Sequence, residues 1–290
     1  MTTQYTLTEI PNGEKYSLTN SGKLEVVPIG VGSMLANKHF NTNFLIVKGD
    51  THILVDCGRT APEALGAIGL KVVDVVNILP THAHDDHVGG IGTLAVANRY
   101  VGRSFMRKPK LALIAPRCFI GPLWTESLKG NLSMNELGDD GKNLDFFDWF
   151  DLYEPDMVSD PFMEYRETYT INFGGIDLQI FRTMHVPNVA RDWRDSAWST
   201  GVLIDKKVCI SGDTRFDLEM INTYSYLSGF MFHDVALAND PVHAGLAELR
   251  TLPAEVKAKM HLVHYGDKWL EYDVSEFGGW ARQGVRYIFD

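Results

Sequence analysis

Short apolar runs recur along this chain, each long enough for a strand and most of them closed by glycine, aspartate or proline. Leu24–Gly30 alternates and predicts a strand that ends in the tight turn Gly30-Val31-Gly32-Ser33. Asn43–Val47 and His52–Asp56 predict two strands around the hairpin turn Lys48-Gly49-Asp50-Thr51. Thr60-Ala61-Pro62-Glu63 opens a helix, with Thr as N-cap, Pro early and Glu in the first turn. Val75–Leu79 is apolar and β-branched, as a buried strand requires, and Ile91–Tyr100 reads as helix before a further strand at Leu111–Ala115.

The second half repeats the style. Thr168–Phe173 and Ile176–Phe181 predict a hairpin across Gly174-Gly175, and Val202–Asp205 with Lys207–Ile210 predicts another. Arg215–Ser228 and His243–Thr251 read as helices. Met231–Asn239, a run ending at Leu262–His264, and Val285–Phe289 read as strands. Two stretches lack a clean period. Residues 1–22 are a polar lead-in with room for a hairpin. Residues 116–170 mix Trp124, Phe146, Phe147, Trp149, Phe150 and Tyr153 with Asp and Gly, and read as an insertion or lid over the site. Its aromatics either form the insertion's own small core, the favoured reading, or stack on a flat substrate ring.

The polar residues are the more telling set. Thr81–Gly90 reads T-H-A-H-D-D-H-V-G-G directly after a predicted strand. Burying so many polar groups without partners would cost several kcal/mol, so packing does not explain them. Imidazole and carboxylate are the ligand set of zinc and similar divalent ions. In extended backbone His82 and His84 point the same way and can chelate one ion; Asp86 and His87, further round the turn, can reach a second. His185, Asp213 and His264 stand at or just beyond other predicted strands, where loops at one edge of a sandwich converge, and the predicted strand Met231–Asn239 carries His233 and Asp234.

H-x-H-x-D-H after an apolar strand resembles the metallo-β-lactamase fold superfamily. The resemblance implies an α/β fold, an αββα sandwich of two mixed sheets between helices, formed here as a single domain over residues 1–290. It implies that His82, His84 and His185 hold one divalent ion, that Asp86, His87 and His264 hold another, and that Asp213 bridges them. Asp56 matches a position whose carboxylate orients the metal loop, although a simple strand-end cap is an equal reading of the residue itself. Zinc is the expected ion, with manganese an alternative.

Ser211-Gly212-Asp213-Thr214-Arg215 resembles the ribonuclease Z branch. That branch carries a His-Glu-Ala-Thr motif, where this chain has His233-Asp234-Val235-Ala236, and a further His, here His243, 21 positions before His264. The resemblance assigns Asp234 as orienter and His243 as general acid or transition-state clamp. The long basic arm that grips tRNA in that branch has no room in the 28 positions from His185 to Asp213. A net charge of −10 also argues against a long polyanion.

The stretches Asn41–Ile46, His243–Pro253 and Met260–Asp267 are similar to the anti-Pycsar proteins, homodimeric enzymes that hydrolyse cyclic nucleotide second messengers. The implied activity is a two-metal phosphodiesterase that converts cyclic pyrimidine mononucleotides, and purine ones by extension, to 5′-monophosphates, as a phage counter-defence protein does. A ribonuclease Z-like tRNA endonuclease, a thioesterase or lactonase, and a non-catalytic nucleotide sponge are the alternatives.

The start M-T-T-Q-Y-T lacks a secretory pattern, and no apolar run reaches the roughly 18 residues of a membrane span. Cys57, Cys118 and Cys209 read as reduced, mostly buried thiols. The expected location is therefore cytoplasmic, in the host if a phage encodes the chain.

Overall fold

The computed structural model describes residues 3–11, 13–158, 166–238 and 240–290. Residues 159–165 of the expected insertion, and Asn239 at the end of an expected strand, lie outside them. The first half contributes β1 (Tyr5–Glu9), β2 (Leu24–Gly30), β3 (Asn43–Lys48), β4 (Thr51–Val55), β5 (Asn77–Leu79), β6 (Leu111–Ile114) and β7 (Phe150–Tyr153). The second contributes β8 (Asp156–Met157), β9 (Thr168–Phe173), β10 (Ile176–Arg182), β11 (Thr200–Ile204), β12 (Val208–Ile210), β13 (Phe230–Asp234), β14 (Met260–Val263) and β15 (Gly279–Trp280). The last strand, β16 (Val285–Phe289), returns to the first sheet. The orders are β1-β16-β2-β3-β4-β5-β6-β7 and β15-β14-β13-β12-β11-β10-β9-β8. In each sheet one end pairs antiparallel and the other, beginning at β4–β5 and at β12–β13, pairs parallel.

Burial on both faces explains why β3 reads as a continuous apolar run, and β2, which alternates in sequence, is buried along its whole length. Along β3, Phe44 and Ile46 enter the core shared with the second sheet, while Leu45 and Val47 pack beneath the helices. On the far side of the second sheet, helix Leu218–Leu227 lays Tyr224 flat on Phe181 of β10, ring centroids 3.5 Å apart. Asp217 caps that helix by accepting from the Met220 N–H at 3.0 Å, so it starts three residues later than the sequence pattern predicts. Among the described residues, no helix is long and apolar enough to cross a membrane.

Three local expectations change. The lead-in contributes no hairpin among its described residues: β1 pairs antiparallel with β16 at the opposite end of the chain. The helix expected from His243 begins only at Leu246 and ends at Leu249, which leaves His243 in a loop. The aromatic-rich segment is tied into the fold. Its β7 pairs parallel with β6, and Phe119, Leu123, Phe146, Trp149 and Phe150 fill the core between helices and sheet. Packing thus accounts for most of those aromatics; Phe147 and Tyr153 stay exposed. Cys57 and Cys209 are buried, and Cys118 is exposed.

Candidate active site

All the candidate residues lie where strands or hairpins run out at one edge of the sandwich. After β5 the chain carries His82 and then His84, whose backbone is extended, and turns once as the helix Asp85–Val88, which bears Asp86 and His87. Gly58 lets this turn approach β4: a Cβ there would lie 1.9 Å from the Asp86 carbonyl oxygen. β10 leads to His185, β12 to Asp213, β13 ends at Asp234 and β14 leads to His264. Asp56 and His264, each just past a strand end, hold φ of 62°, a conformation uncommon outside glycine and concentrated at functional sites.

The side chains converge. Ligand atoms of His82, His84, His185 and Asp213 lie within 4.8 Å of one another, and so do those of Asp86, His87, Asp213 and His264. Asp213 belongs to both sets. Its Oδ2 is 3.2 Å from His87 Nε2, 3.5 Å from His264 Nε2, 3.7 Å from His82 Nε2 and 3.9 Å from His185 Nε2. His84 Nδ1 and His185 Nε2 are 3.2 Å apart. Ligands about 2.0–2.1 Å from a tetrahedral zinc stand roughly 3.3–3.5 Å apart, so the spacing suits ions of that size.

The far nitrogen of most of these imidazoles is engaged, which aims the near one inward. His87 Nδ1–H donates to Asp56 Oδ2 at 2.7 Å. His185 Nδ1–H donates to the Val242 carbonyl at 2.8 Å. Thr81 Oγ1 donates to Asp56 at 2.9 Å and accepts from His82 Nδ1–H at 3.1 Å. The near atoms, by contrast, include buried His82 Nε2, His87 Nε2 and Asp86 Oδ1 without a hydrogen-bond partner. Several such orphans at one point, at about 1–3 kcal/mol each, are what a pair of divalent ions would satisfy. The donor set and these orphaned atoms fit a divalent metal site.

Electrostatics agree. Burial pushes the Asp213 carboxyl up, but His264, His87 and His243 hold it well below the usual carboxylate range. Burial likewise pulls His87 and His264 down, and Asp213 with the nearby carboxylates raises both well above an ordinary histidine.

Beside the cluster, His243 Nδ1–H donates to Asp234 Oδ2 at 2.8 Å, and the ring is 4.0 Å from Asp213 Oδ2. Asp234 also accepts from the Thr214 N–H at 3.0 Å, and its Oδ1 lies 3.4 Å from His264 Nδ1. Burial opposes the charge on Asp234, but His243 and His264 hold its carboxyl below the usual range. Burial also lowers His243, but Asp234 outweighs it and the pKa is raised. The shorter Asp side chain therefore still reaches its partner. The expected metal ligands meet here together with Asp234 and His243, whereas His233 stays out of the cluster, buried in β13 with its Nδ1 2.7 Å from the Asp234 carbonyl. The Val242 carbonyl and the Thr214 N–H were not legible, because backbone groups leave no residue-type signal.

A family model described as "Anti-Pycsar protein Apyc1" matches residues 24–287. The chain belongs to this family. The Apyc1 protein of Bacillus phage vB_BsuM-Goe3 is 31% identical over 284 residues, covering 90% of this chain and 96% of that protein. Among solved structures, the metallo-β-lactamase fold protein YhfI from Bacillus subtilis aligns with a TM-score of 0.63 at 16% identity, over 92% of this chain and 99% of that one. The short form of human tRNase Z aligns with a TM-score of 0.58 at 16% identity, over 84% and 93%. The fold of this Apyc1-family chain is thus the metallo-β-lactamase sandwich expected from the His82–His87 motif.

Proposed function

We propose that this protein is a metal-dependent phosphodiesterase that opens cyclic mononucleotides, pyrimidine and purine, to nucleoside 5′-monophosphates and so removes a second messenger of host defence. The observation that carries the reading is the Asp234–His243 pair, 2.8 Å apart, set against the carboxylate shared by two ion-sized ligand sets. Family membership supports the counter-defence role. His82, His84 and His185 with Asp213 would hold one divalent ion, and Asp86, His87 and His264 with Asp213 the other; zinc is the expected metal. Bound there, the ions supply Lewis-acid activation of water and charge stabilisation of the phosphoryl oxygens.

The chain's own residues do the rest. Asp234 accepts the Nδ1 proton of His243, fixes the ring and favours its cationic form, which would present Nε2–H as the acid for the departing 3′ oxygen. Thr214 N–H locks Asp234 in turn. Asp56 keeps the proton of His87 on Nδ1, which leaves Nε2 free as a donor atom. The adjoining cleft, about 330 Å³ and bounded by Met34, Leu35, Ala236, Leu237, His243 and His264, is at the small end for ligand pockets, the size class of a mononucleotide. The active form in this reading is a cytoplasmic homodimer, which sedimentation would check. The central test is incubation of the metal-loaded protein with cyclic CMP, UMP, AMP and GMP, followed by chromatography. Linear 5′-monophosphates are expected; recovery of every cyclic nucleotide unchanged would defeat the reading.

A further inference from the structure

The loop 33–40 is bound on both flanks, yet its tip is bare. Arg59 donates to the Met34 carbonyl through Nη2 and lies 3.2 Å from Asp85 of the metal loop through Nη1. On the other flank Asp267, three residues past His264, accepts from the Asn37 N–H at 2.9 Å and the Lys38 N–H at 3.0 Å. Ser33 N–H donates to the Tyr265 carbonyl at 3.2 Å, and His39 packs edge-on against Tyr265 and Trp269. The loop is therefore clamped to two of the segments that carry candidate metal ligands. Its tip residue, Leu35, is 80% exposed and lines the same cleft as His243 and His264.

A leucine left in water on a clamped loop contributes nothing to the core. Met34 beside it, and Leu237 from the loop after β13, line the cleft as well, so an apolar rim adjoins the polar reaction centre. Small-ligand sites commonly pair a polar reacting end with such an apolar surface. The phosphate of a cyclic mononucleotide belongs at the ligand cluster, and the one large, flat, weakly polar part it has left is the base.

We propose that Leu35 is a substrate-positioning contact, the apolar surface against which the base of the cyclic nucleotide rests while its phosphate occupies the metal cluster. The proposal rests on the phosphodiesterase reading above. It makes loop 33–40 a determinant of KM and not of the chemical step, because a contact made equally in ground and transition states changes binding alone.

The test compares wild type, Leu35→Ala and Leu35→Met on cyclic CMP, cyclic AMP and the base-free 1-deoxyribose 3′,5′-cyclic phosphate. Leu35→Ala is expected to raise KM for both nucleotides by about three- to tenfold, in the range of an apolar side chain trimmed at a binding surface, with kcat retained. The base-free substrate is expected to show no change, and Leu35→Met to restore KM. The exposed position leaves folding intact, which the melting temperature verifies. An active wild type whose KM is unmoved by Leu35→Ala overturns this inference alone, and so does an equal loss on the base-free substrate. A wild type inert on every cyclic nucleotide overturns the phosphodiesterase reading and this inference with it.

Discussion

Asp56→Asn is the sharpest probe of the ligand cluster, because it preserves shape and removes one acceptor. The buried carboxylate takes three hydrogen bonds: Oδ1 from the Thr81 N–H at 2.7 Å, and Oδ2 from Thr81 Oγ1 at 2.9 Å and His87 Nδ1–H at 2.7 Å. An amide has a single acceptor oxygen. If that oxygen stays with the Thr81 N–H, the NH₂ group faces His87 Nδ1 and can only donate to it. The ring proton must then move to Nε2, the atom 3.2 Å from Asp213 Oδ2 and 3.6 Å from Asp86 Oδ2. That nitrogen no longer offers a lone pair to an ion. If the amide flips, its NH₂ meets the Thr81 N–H, donor against donor. Groups that orient a ligand in this way are worth about 10–100-fold in metal affinity, or roughly 1.4–2.7 kcal/mol. Samples of wild type and variant dialysed against graded chelator, with bound metal counted by mass spectrometry, read the effect directly. The Asp86/His87/His264 set, whose His87 bonds Asp56 directly, is expected to empty at a lower chelator concentration than in wild type. A folded Asp56→Asn protein that holds both ions as tightly as wild type would refute the reasoning.

Three further outcomes follow from the same geometry. His243→Gln is expected to lower kcat by about 10²–10⁴ with bound metal unchanged, whereas Asp234→Asn should also move the alkaline limb of the rate profile to lower pH, since Asp234 is what raises His243; turnover and pH profiles check both, and wild-type kcat in His243→Gln counts against the assignment. Asp213 and the carboxylates near them raise the pKa values of His87 and His264 well above an ordinary histidine, so ions must compete with protons there, and apparent metal affinity should keep rising with pH beyond the ordinary histidine range. Calorimetry in buffers of different ionisation enthalpy would show that proton release, and an affinity flat with pH would contradict it. Away from the site, burial lowers His52 to about 4, and its Nε2 accepts from the Val76 N–H at 3.1 Å. Its folded pKa lies below the unfolded value of about 6.5, so the stability it contributes is present above that value and is lost as pH falls toward 4. Wild type should therefore lose about 2 kcal/mol more than His52→Gln between pH 7 and pH 5 in urea unfolding, and equal losses would refute the linkage.

Local pattern carried much of this molecule. Leu24–Gly30 and Val285–Phe289 are strands with the bounds their alternation predicts, because side-chain period is a property of neighbouring residues. The spacing His82-x-His84-x-Asp86-His87 named the chemistry for a similar reason: one extended stretch and one helical turn set where those four side chains point, wherever the rest of the chain goes. His185, Asp213, Asp234, His243 and His264 could be nominated from their places after strands and by resemblance. Their convergence within hydrogen-bond or ligand distance came from the packing of two sheets.

Other features depended on partners far off in sequence. β1 was unreadable because its pairing partner, β16, lies at the other end of the chain and stabilises a strand too polar to announce itself. The segment expected as a lid supplies β7 and a share of the core because β6 offers an open parallel edge. The helix expected at His243 starts later because its first residues are drawn elsewhere: the His243 side chain to Asp234, and the backbone of Ala244 and Gly245 into a bridge with Ala236. The sequence by itself thus determined most of the strands and which atoms are available for chemistry, since both follow from short-range geometry and residue type. Tertiary structure alone decided which of those atoms share a proton, which are left without a partner, and what surrounds them, because hydrogen bonds and burial depend on distances that no local pattern encodes.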